Sequence, residues 1–307
     1  MIEDFEHAWR LYRDAEVRLP APPARHTLPA TRLTTGLREI LAQGLHDAVI
    51  LDAWGVLNLG DAPIPAAREA FAALRASGLP VRVLSNDAGS DPEQSSARHT
   101  RRGFDVAPEE IVFGLDLLAP TLTELGVSPE DCVLVAPRPA PRAAVTAPML
   151  DLYDPRAMDA AAIAFLSTVG YTEATDARLR ALLRHKPRPM LVCNPDIVSP
   201  EPEGIAIEPG FYAHRLAADL GCAPTFLGKP FPGVYAAVLR TLPGVSPDRV
   251  LCVGDTPHTD VLGGAVAGMD TLLVESGFFR GRGRDGDEIS ALCAEAGMAP
   301  TWRAPHL

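Results

Sequence analysis

The stretch "ILDAWGVLNLG", residues 50–60, sets the architecture of this chain. Val49, Ile50 and Leu51 run without a polar break into Asp52, and Gly55 follows three residues later. A short unbroken apolar run closed by a turn reads as a strand buried on both faces, the kind found in parallel sheets covered by helices. The flanks repeat the theme. Helical spacing covers 36–43 and 65–77, the latter closed by Gly78. "PVRVLS" (80–85) is a second strand, 92–103 a further helix, and "EEIVFG" (109–114) ends in a short strand. From residue 225 the alternation resumes: "TFLG", a helix over 231–241, "RVLCVGD" (249–255), a helix over 259–268 and "DTLLVES" (270–276). Strands separated by amphipathic helices predict an α/β fold, a Rossmann-like doubly wound parallel sheet.

Residues 116–224 carry strands of their own, in "VSPEDCVLVAPRPAPRAAV", "MDAAAIAFLSTVG" and "PMLVCN", and a helix over 175–186. They predict a smaller α/β unit inserted in the first. Residues 195–210, rich in Pro, Glu and Gly, read as loop. The predicted organisation is a helix and proline-rich arm (1–34), a core from 35–115 plus 225–307, and the insert 116–224. In the arm, Phe5, Ala8, Trp9, Tyr12 and Ala15 stand at helical spacing. The arm reads as packing on its own domain or on a second subunit, without a catalytic role. A homodimer is therefore one expectation.

Composition narrows the function classes. Hydrophobic residues make up 47% of the 307 positions, enough for a sizeable core. The net charge is −11, and no Lys/Arg cluster with interleaved aromatics occurs, which argues against nucleic acid as partner. A local Lys or helix N-terminus still suits a small anionic ligand. The five cysteines are odd in number, widely spaced and without C-x-x-C, so no disulfide framework or zinc site is expected and a cytoplasmic setting fits. No segment reads as membrane-spanning or as a signal peptide.

Polar residues close four strands or their loops: Asp52, Ser85-Asn86-Asp87, Lys229, and Asp255 with Asp260 five positions on. Taken singly, each has a plain structural reading as a cap or a turn. Parallel strands bring such tips to one sheet edge, where ligands bind in these folds. The combination has a chemical logic. A carboxylate attacking a phosphate dianion meets repulsion, which a divalent cation between Asp52 and Asp255 and the Lys229 ammonium would offset. Ser85 and backbone N–H groups would take the remaining oxygens.

These motifs resemble the haloacid dehalogenase superfamily: hhhhD-x-x-G-V-L at 48–57, S-N at 85–86, G-K-P at 228–230 and G-D-x-x-x-T-D at 254–260. "GVLNLGDAPIPAA", "VCNPDIVSPEPEGIAIEPG" and "GKPFPGVY" are similar to its subclass IIA, which includes 4-nitrophenylphosphatase-like and sugar-phosphate phosphatase-like proteins. The insert fits that branch, since it lies between Ser85 and Lys229, where class II caps sit. The resemblance covers about residues 36–305 and leaves out the arm. It implies a phosphatase-like hydrolase of small phosphorylated metabolites with Mg²⁺ as cofactor. Asp52 is then the nucleophile that becomes an aspartyl phosphate, and Lys229 orients it and the phosphate. Ser85 and Asn86 bind the phosphoryl group. Asp52, Asp255 and the backbone carbonyl of Trp54 hold the metal, with Asp260 in its shell or bracing Lys229. Asn194 and Asp196 match a cap element that faces the substrate, and a capping turn is their equal alternative.

One position departs from the pattern. Phosphatases of this superfamily usually carry Asp two residues after the nucleophile, as acid and then base. Trp54 does neither, because an indole N–H donates a hydrogen bond but does not titrate usefully. Asp87, Asp61 and His258 are the local candidates to replace it, His258 because an imidazole titrates near neutrality and could meet the substrate. Two alternatives accompany the phosphatase reading: a weakly active or non-catalytic phosphate-binding protein, and a dehalogenase-like hydrolase, since D-A-W-G is close to the D-A-Y-G of dehalogenases.

Overall fold

The computed structural model describes residues 4–23, 31–137, 140, 142–282 and 287–307; residues 24–30 of the proline-rich stretch lie outside these. Strand Ala48–Leu51 sits inside a seven-stranded sheet. From one edge the order is Arg32–Leu33, Trp302–Ala304, Asp270–Val274, Val250–Gly254, Ala48–Leu51, Val81–Ser85 and Ile111–Phe113, and every pairing is parallel. The unbroken apolar run follows from burial on both sides. Ala48 and Ile50 join Val234, Tyr235 and Val238 of helix Pro232–Arg240 on one face. Val49 and Leu51 join Leu37, Ile40, Phe71 and Leu74 of helices Leu37–Leu41 and Pro65–Ser77 on the other. Pro65 opens the longer of these helices and Gly78, at φ +75°, closes it, the usual asymmetry of helix ends.

The insert forms a second, five-stranded parallel sheet ordered Thr225–Phe226, Met190–Val192, Ala162–Phe165, Cys132–Val135 and Leu150–Asp151. One face (Cys132, Leu134, Ala162, Ala164, Leu191) joins the apolar cluster of the core. The other packs under helices Glu173–His185 and Pro209–Leu220 through Leu179, Leu182, Leu183, Ala213 and Leu216. The two chain crossings between core and insert touch. A Cβ on Gly114 would press on Gly228 Cα at 2.9 Å and on the Cys193 carbonyl oxygen at 2.7 Å, so Gly114 sits where only a glycine fits.

Five details differ from the expectations. Thr225–Phe226 stays with the cap sheet rather than returning to the core. Arg32–Leu33 is an edge strand of the core, although it was grouped with the arm. Residues 198–207 are an antiparallel hairpin, Val198–Glu201 against Gly204–Ile207, instead of loop; Pro200 is tolerated because an edge strand does not need its N–H. A further small hairpin, Asn58–Leu59 with Ala62–Pro63, turns over Gly60 and Asp61. The helix expected at 259–268 opens instead with a wide π-helical turn, Pro257–Val261, followed by a short α-helix, Leu262–Val266.

The arm packs on its own chain. Helix Phe5–Ala15 buries Ala8, Tyr12 and Ala15 against Ile197 and Val198 of the cap and Val261, Leu262, Phe278 and Phe279 of the core. Phe5 and Trp9 add ring contacts to Phe278 and Phe279. The five cysteines are free, and no helix among the described residues is long and apolar enough to cross a membrane.

Candidate active site

Three adjacent strands end side by side. Val250–Gly254, Ala48–Leu51 and Val81–Ser85 are neighbours in the sheet, so Asp255, Asp52 and Ser85 line one stretch of its carboxyl edge. The Asp52 amide still pairs with the Val253 carbonyl (2.8 Å), which keeps the loop after the strand attached to the sheet. Lys229 Nζ lies 2.8 Å from Asp52 Oδ1 and donates to Asp260 Oδ1 at 2.8 Å. Asp52 Oδ1 also accepts from the Ala53 amide at 2.7 Å.

Each of these groups is held from behind. Asp260 accepts from the Thr256 amide (3.2 Å) and the Thr259 hydroxyl (3.3 Å). Asp255 accepts from the Thr256 hydroxyl (3.0 Å) and the Phe278 amide (2.7 Å). Gly55 and Gly277 lie so close to Asp255 that a Cβ on either would overlap its carboxylate. Lys229 is clamped through its own backbone: its N–H donates to Asn86 Oδ1 (2.8 Å) and its carbonyl accepts from Asn86 Nδ2 (3.2 Å).

Asp52, Asp255 and Asp260 offer carboxylate oxygens that lie within 4.8 Å of one another. Burial, with Asp260 adding to it, pushes the Asp52 carboxyl up to about 7 against the pull of Lys229. Burial, then Asp52 and Asp260, raises Asp255 well above its ordinary range. Burial alone would lower Lys229, but Asp260, Asp52 and Asp196 outweigh it and keep the ammonium charged. Three carboxylates against one ammonium leave surplus negative charge in a buried place. An all-oxygen donor set of that charge fits a hard divalent cation such as Mg²⁺.

The other predicted residues are placed as follows. Ser85, at the strand tip, accepts from the Asp87 amide at 3.1 Å and is almost buried. Asn86 differs from its expected role as a phosphate ligand: its amide is used on the Lys229 backbone and on Asp196 Oδ1 (2.8 Å). Asn194 holds the cap turn, accepting from the Asp196 amide (3.0 Å) and donating to Glu208 (3.0 Å). Asp196 reaches the core through Asn86, and burial raises its carboxyl to about 7. His258 does not join the cluster. It is fully buried against the N-terminal helix, with Nε2 2.9 Å from Glu16 and its ring 4.9 Å from those of Tyr12 and Trp9. Burial lowers its pKa, with Glu16 opposing.

The remaining stand-ins for an acid are also engaged. Asp87 takes Arg98 (2.7 Å), the Ser90 hydroxyl (2.6 Å) and the Gly89 amide (2.7 Å). Asp61 is exposed on its hairpin and pairs with Arg102 (2.9 Å). Trp54 itself turns to the cap: its indole N–H donates to the Pro200 carbonyl at 2.9 Å, and the Arg102 guanidinium lies 5.9 Å from its ring.

Three positions that touch or surround the candidate site escaped the sequence reading. Tyr12 feels the Asp196 and Asp255 carboxylates from its buried place on the arm. Phe278 contributes a backbone N–H to Asp255. Glu208 receives Asn194 and the Ser199 hydroxyl (2.6 Å) beneath the cap hairpin. Only Glu208 carries a local signal, as the residue before Pro209 at a helix start.

Comparison with known proteins gives a consistent picture. A family model described as "Haloacid dehalogenase-like hydrolase" matches residues 49–147, and one described as HAD-hydrolase-like matches 226–295. Together they span more than half of the chain and cover Asp52, Ser85, Lys229, Asp255 and Asp260. An acid sugar phosphatase of Staphylococcus aureus is 26% identical over 232 residues, 76% of this chain and 87% of that protein. A possible sugar phosphatase from Cytophaga hutchinsonii superposes with a TM-score of 0.72 at 24% identity, covering 90% of this chain and 98% of the other. A 4-nitrophenylphosphatase from Thermotoga maritima superposes at 0.68 and 22% identity, covering 85% and 95%.

Proposed function

The chain belongs to the haloacid dehalogenase-like hydrolases, and from that footing we propose that it is a Mg²⁺-dependent phosphatase of small organic phosphates. The observation that carries this reading is the buried chain Asp52–Lys229–Asp260, with Asp255 beside it at the end of the neighbouring strand. The names of the relatives support the sugar-phosphate or similar substrate class. Free cysteines favour a reducing, cytoplasmic setting.

In this reading an Asp52 oxygen attacks phosphorus while the bond to the leaving oxygen breaks, and Asp52 becomes an aspartyl phosphate. Water then cleaves the new P–O bond and returns the carboxylate. Lys229 holds nucleophile and phosphoryl group together and balances charge developing on the equatorial oxygens. Ser85 and the backbone N–H groups beyond Asp52 take the remaining oxygens. Asp52, Asp255, Asp260 and the Trp54 carbonyl would hold Mg²⁺, which when bound would supply further neutralisation of the phosphate.

Trp54 leaves the usual acid position without a proton. Among the carboxyls of the cleft, Asp196, held at about 7, best suits proton transfer to a leaving group at neutral pH. Substrates with weakly basic leaving groups are therefore turned over fastest. The same Trp54 contact favours a second reading, slow or absent turnover with retained phosphate binding. A dehalogenase gains nothing from the surplus carboxylates at 255 and 260.

The test is hydrolysis of 4-nitrophenyl phosphate and a sugar-phosphate panel by wild type and Asp52→Asn, with and without EDTA. Activity abolished by both treatments supports the proposal. Activity lost in Asp52→Asn but untouched by EDTA removes the metal from it. Binding of phosphate esters without turnover selects the second reading.

A further inference from the structure

We propose that Tyr12, Trp54 and Arg280 form a three-point latch that fastens the cap hairpin Val198–Ile207 to the core. The hairpin ladder defines which of its carbonyls face away from the partner strand. The Glu208 amide donates to the Ile197 carbonyl (3.0 Å), and bonded pairs alternate along an antiparallel ribbon. The carbonyls of Val198 and Pro200 therefore point outward from the edge. Pro200 has no N–H to offer there, so this edge presents acceptors.

Donors from three separate parts of the chain take these two carbonyls and those at the hairpin turn. The Tyr12 hydroxyl, on the N-terminal helix, donates to the Val198 carbonyl at 3.3 Å. The Trp54 indole, on the nucleophile loop, donates to Pro200 at 2.9 Å. Arg280, after strand Asp270–Val274, donates to the Glu201 and Pro202 carbonyls at 2.9 and 3.0 Å. Each donor is itself anchored or reachable. Tyr12 stacks on His258 and meets Phe278 edge-on, Trp54 packs by Arg102, and Arg280 is exposed.

The latch explains tryptophan two residues after Asp52. An aspartate there is too short to reach the Pro200 carbonyl and, when ionised, has no proton to donate to it, whereas the indole N–H joins the loop after Asp52 to the cap. Lifting the hairpin breaks these bonds together. The arm is thus part of the closing device, and its removal frees one side of the cap.

Hydrogen–deuterium exchange of the full chain without any ligand tests this separately from turnover. The variants are Tyr12→Phe, Trp54→Phe, Arg280→Ala and their combination. Each single variant speeds exchange across 198–207 by about three- to tenfold, and the combination multiplies these factors, while strand Ala48–Leu51 stays protected. Arg280→Ala changes an exposed side chain and reports even if a buried variant folds poorly. Unchanged exchange of the hairpin in the combined variant, or in Arg280→Ala alone, overturns the latch. So does an equal rise in Ala48–Leu51, which marks general loosening of the fold.

Discussion

The core side and the cap side of the candidate site, its two walls, are built differently. On the core side Asp52, Ser85 and Asp255 sit at the tips of adjacent strands, and their partners come from Lys229, Asp260 and backbone amides fixed by the sheet. Lys229 offsets only part of the carboxylate charge inside the group, and the positions tolerate little change, since Gly55, Gly254 and Gly277 press directly on the carboxylates. On the cap side Asn194, Asp196, Ser199 and Glu208 bond mainly to one another along a loop and hairpin. They meet the core through few contacts, Asp196 on Asn86 and Pro200 on Trp54 among them. The contrast separates two demands. Bond breaking needs fixed charges, which a sheet edge supplies, and choice of substrate needs a surface that can vary and move.

The comparison breaks most decisively at Lys229. Lys229→Met leaves three buried carboxylates without their ammonium. We expect turnover to fall at least about 10³-fold and stability in EDTA to fall by about 3–5 kcal/mol. Steady-state assays and denaturant titration read both, and turnover within tenfold of wild type would show that the core wall is not an electrostatic unit. Asn86→Ala comes next, because Asn86 joins the walls. It should cost about 10²-fold in kcat by releasing Lys229 from its position, with KM less affected. Equal losses in kcat and in binding would assign Asn86 to the phosphate instead. Asp196→Asn belongs to the cap wall and should act selectively. It slows alkyl phosphates about tenfold or more while sparing 4-nitrophenyl phosphate, whose leaving group needs no proton. An equal loss on both substrates removes Asp196 from proton transfer.

The last expectation concerns stability, pH and the cap alone, with the smallest effect on turnover. Burial, with the Asp87 and Glu201 carboxylates adding to it, raises Glu208 from its ordinary 4.5 to about 7, while Ser199 and Asn194 pull the other way. Between those values the folded chain holds a proton that the unfolded chain has lost. This group's share of stability is therefore full below pH 4.5 and falls as pH rises to about 7. Glu208→Gln should flatten that fall by up to about 3 kcal/mol, read from denaturant midpoints across the window. An unaltered slope would place Glu208 in water rather than under the hairpin.

The core wall was legible because its signals are local. An apolar run ending in Asp52, Ser85 or Asp255 states both the strand and the group at its tip, and parallel pairing does the rest. His258 was misread for want of geometry. It lies between Asp255 and Asp260 in sequence, yet the π-helical turn brings Asp260 to Lys229 and leaves His258 against Glu16. The hairpin at 198–207 was hidden by its composition, since proline and glutamate at an edge strand look like loop. The helical spacing of Phe5, Ala8, Trp9 and Tyr12 announces a buried face but not what buries it. Trp54 stood out as an anomaly, and its partner, 146 positions away, has no trace in the local pattern.

The meeting of Gly114 and Gly228 has a consequence for how this protein can be rebuilt. Where the chain leaves the core and where it returns are neighbours, so the segment between them is a cassette entered and left at one point. A shortened protein needs only a residue or two to join these ends, each spanning about 3.8 Å. The same seam is the natural cut for exchanging caps between relatives. A graft that keeps Gly228 keeps Lys229 in register with Asn86, whereas one cut a few residues later imports a foreign lysine along with the foreign lid.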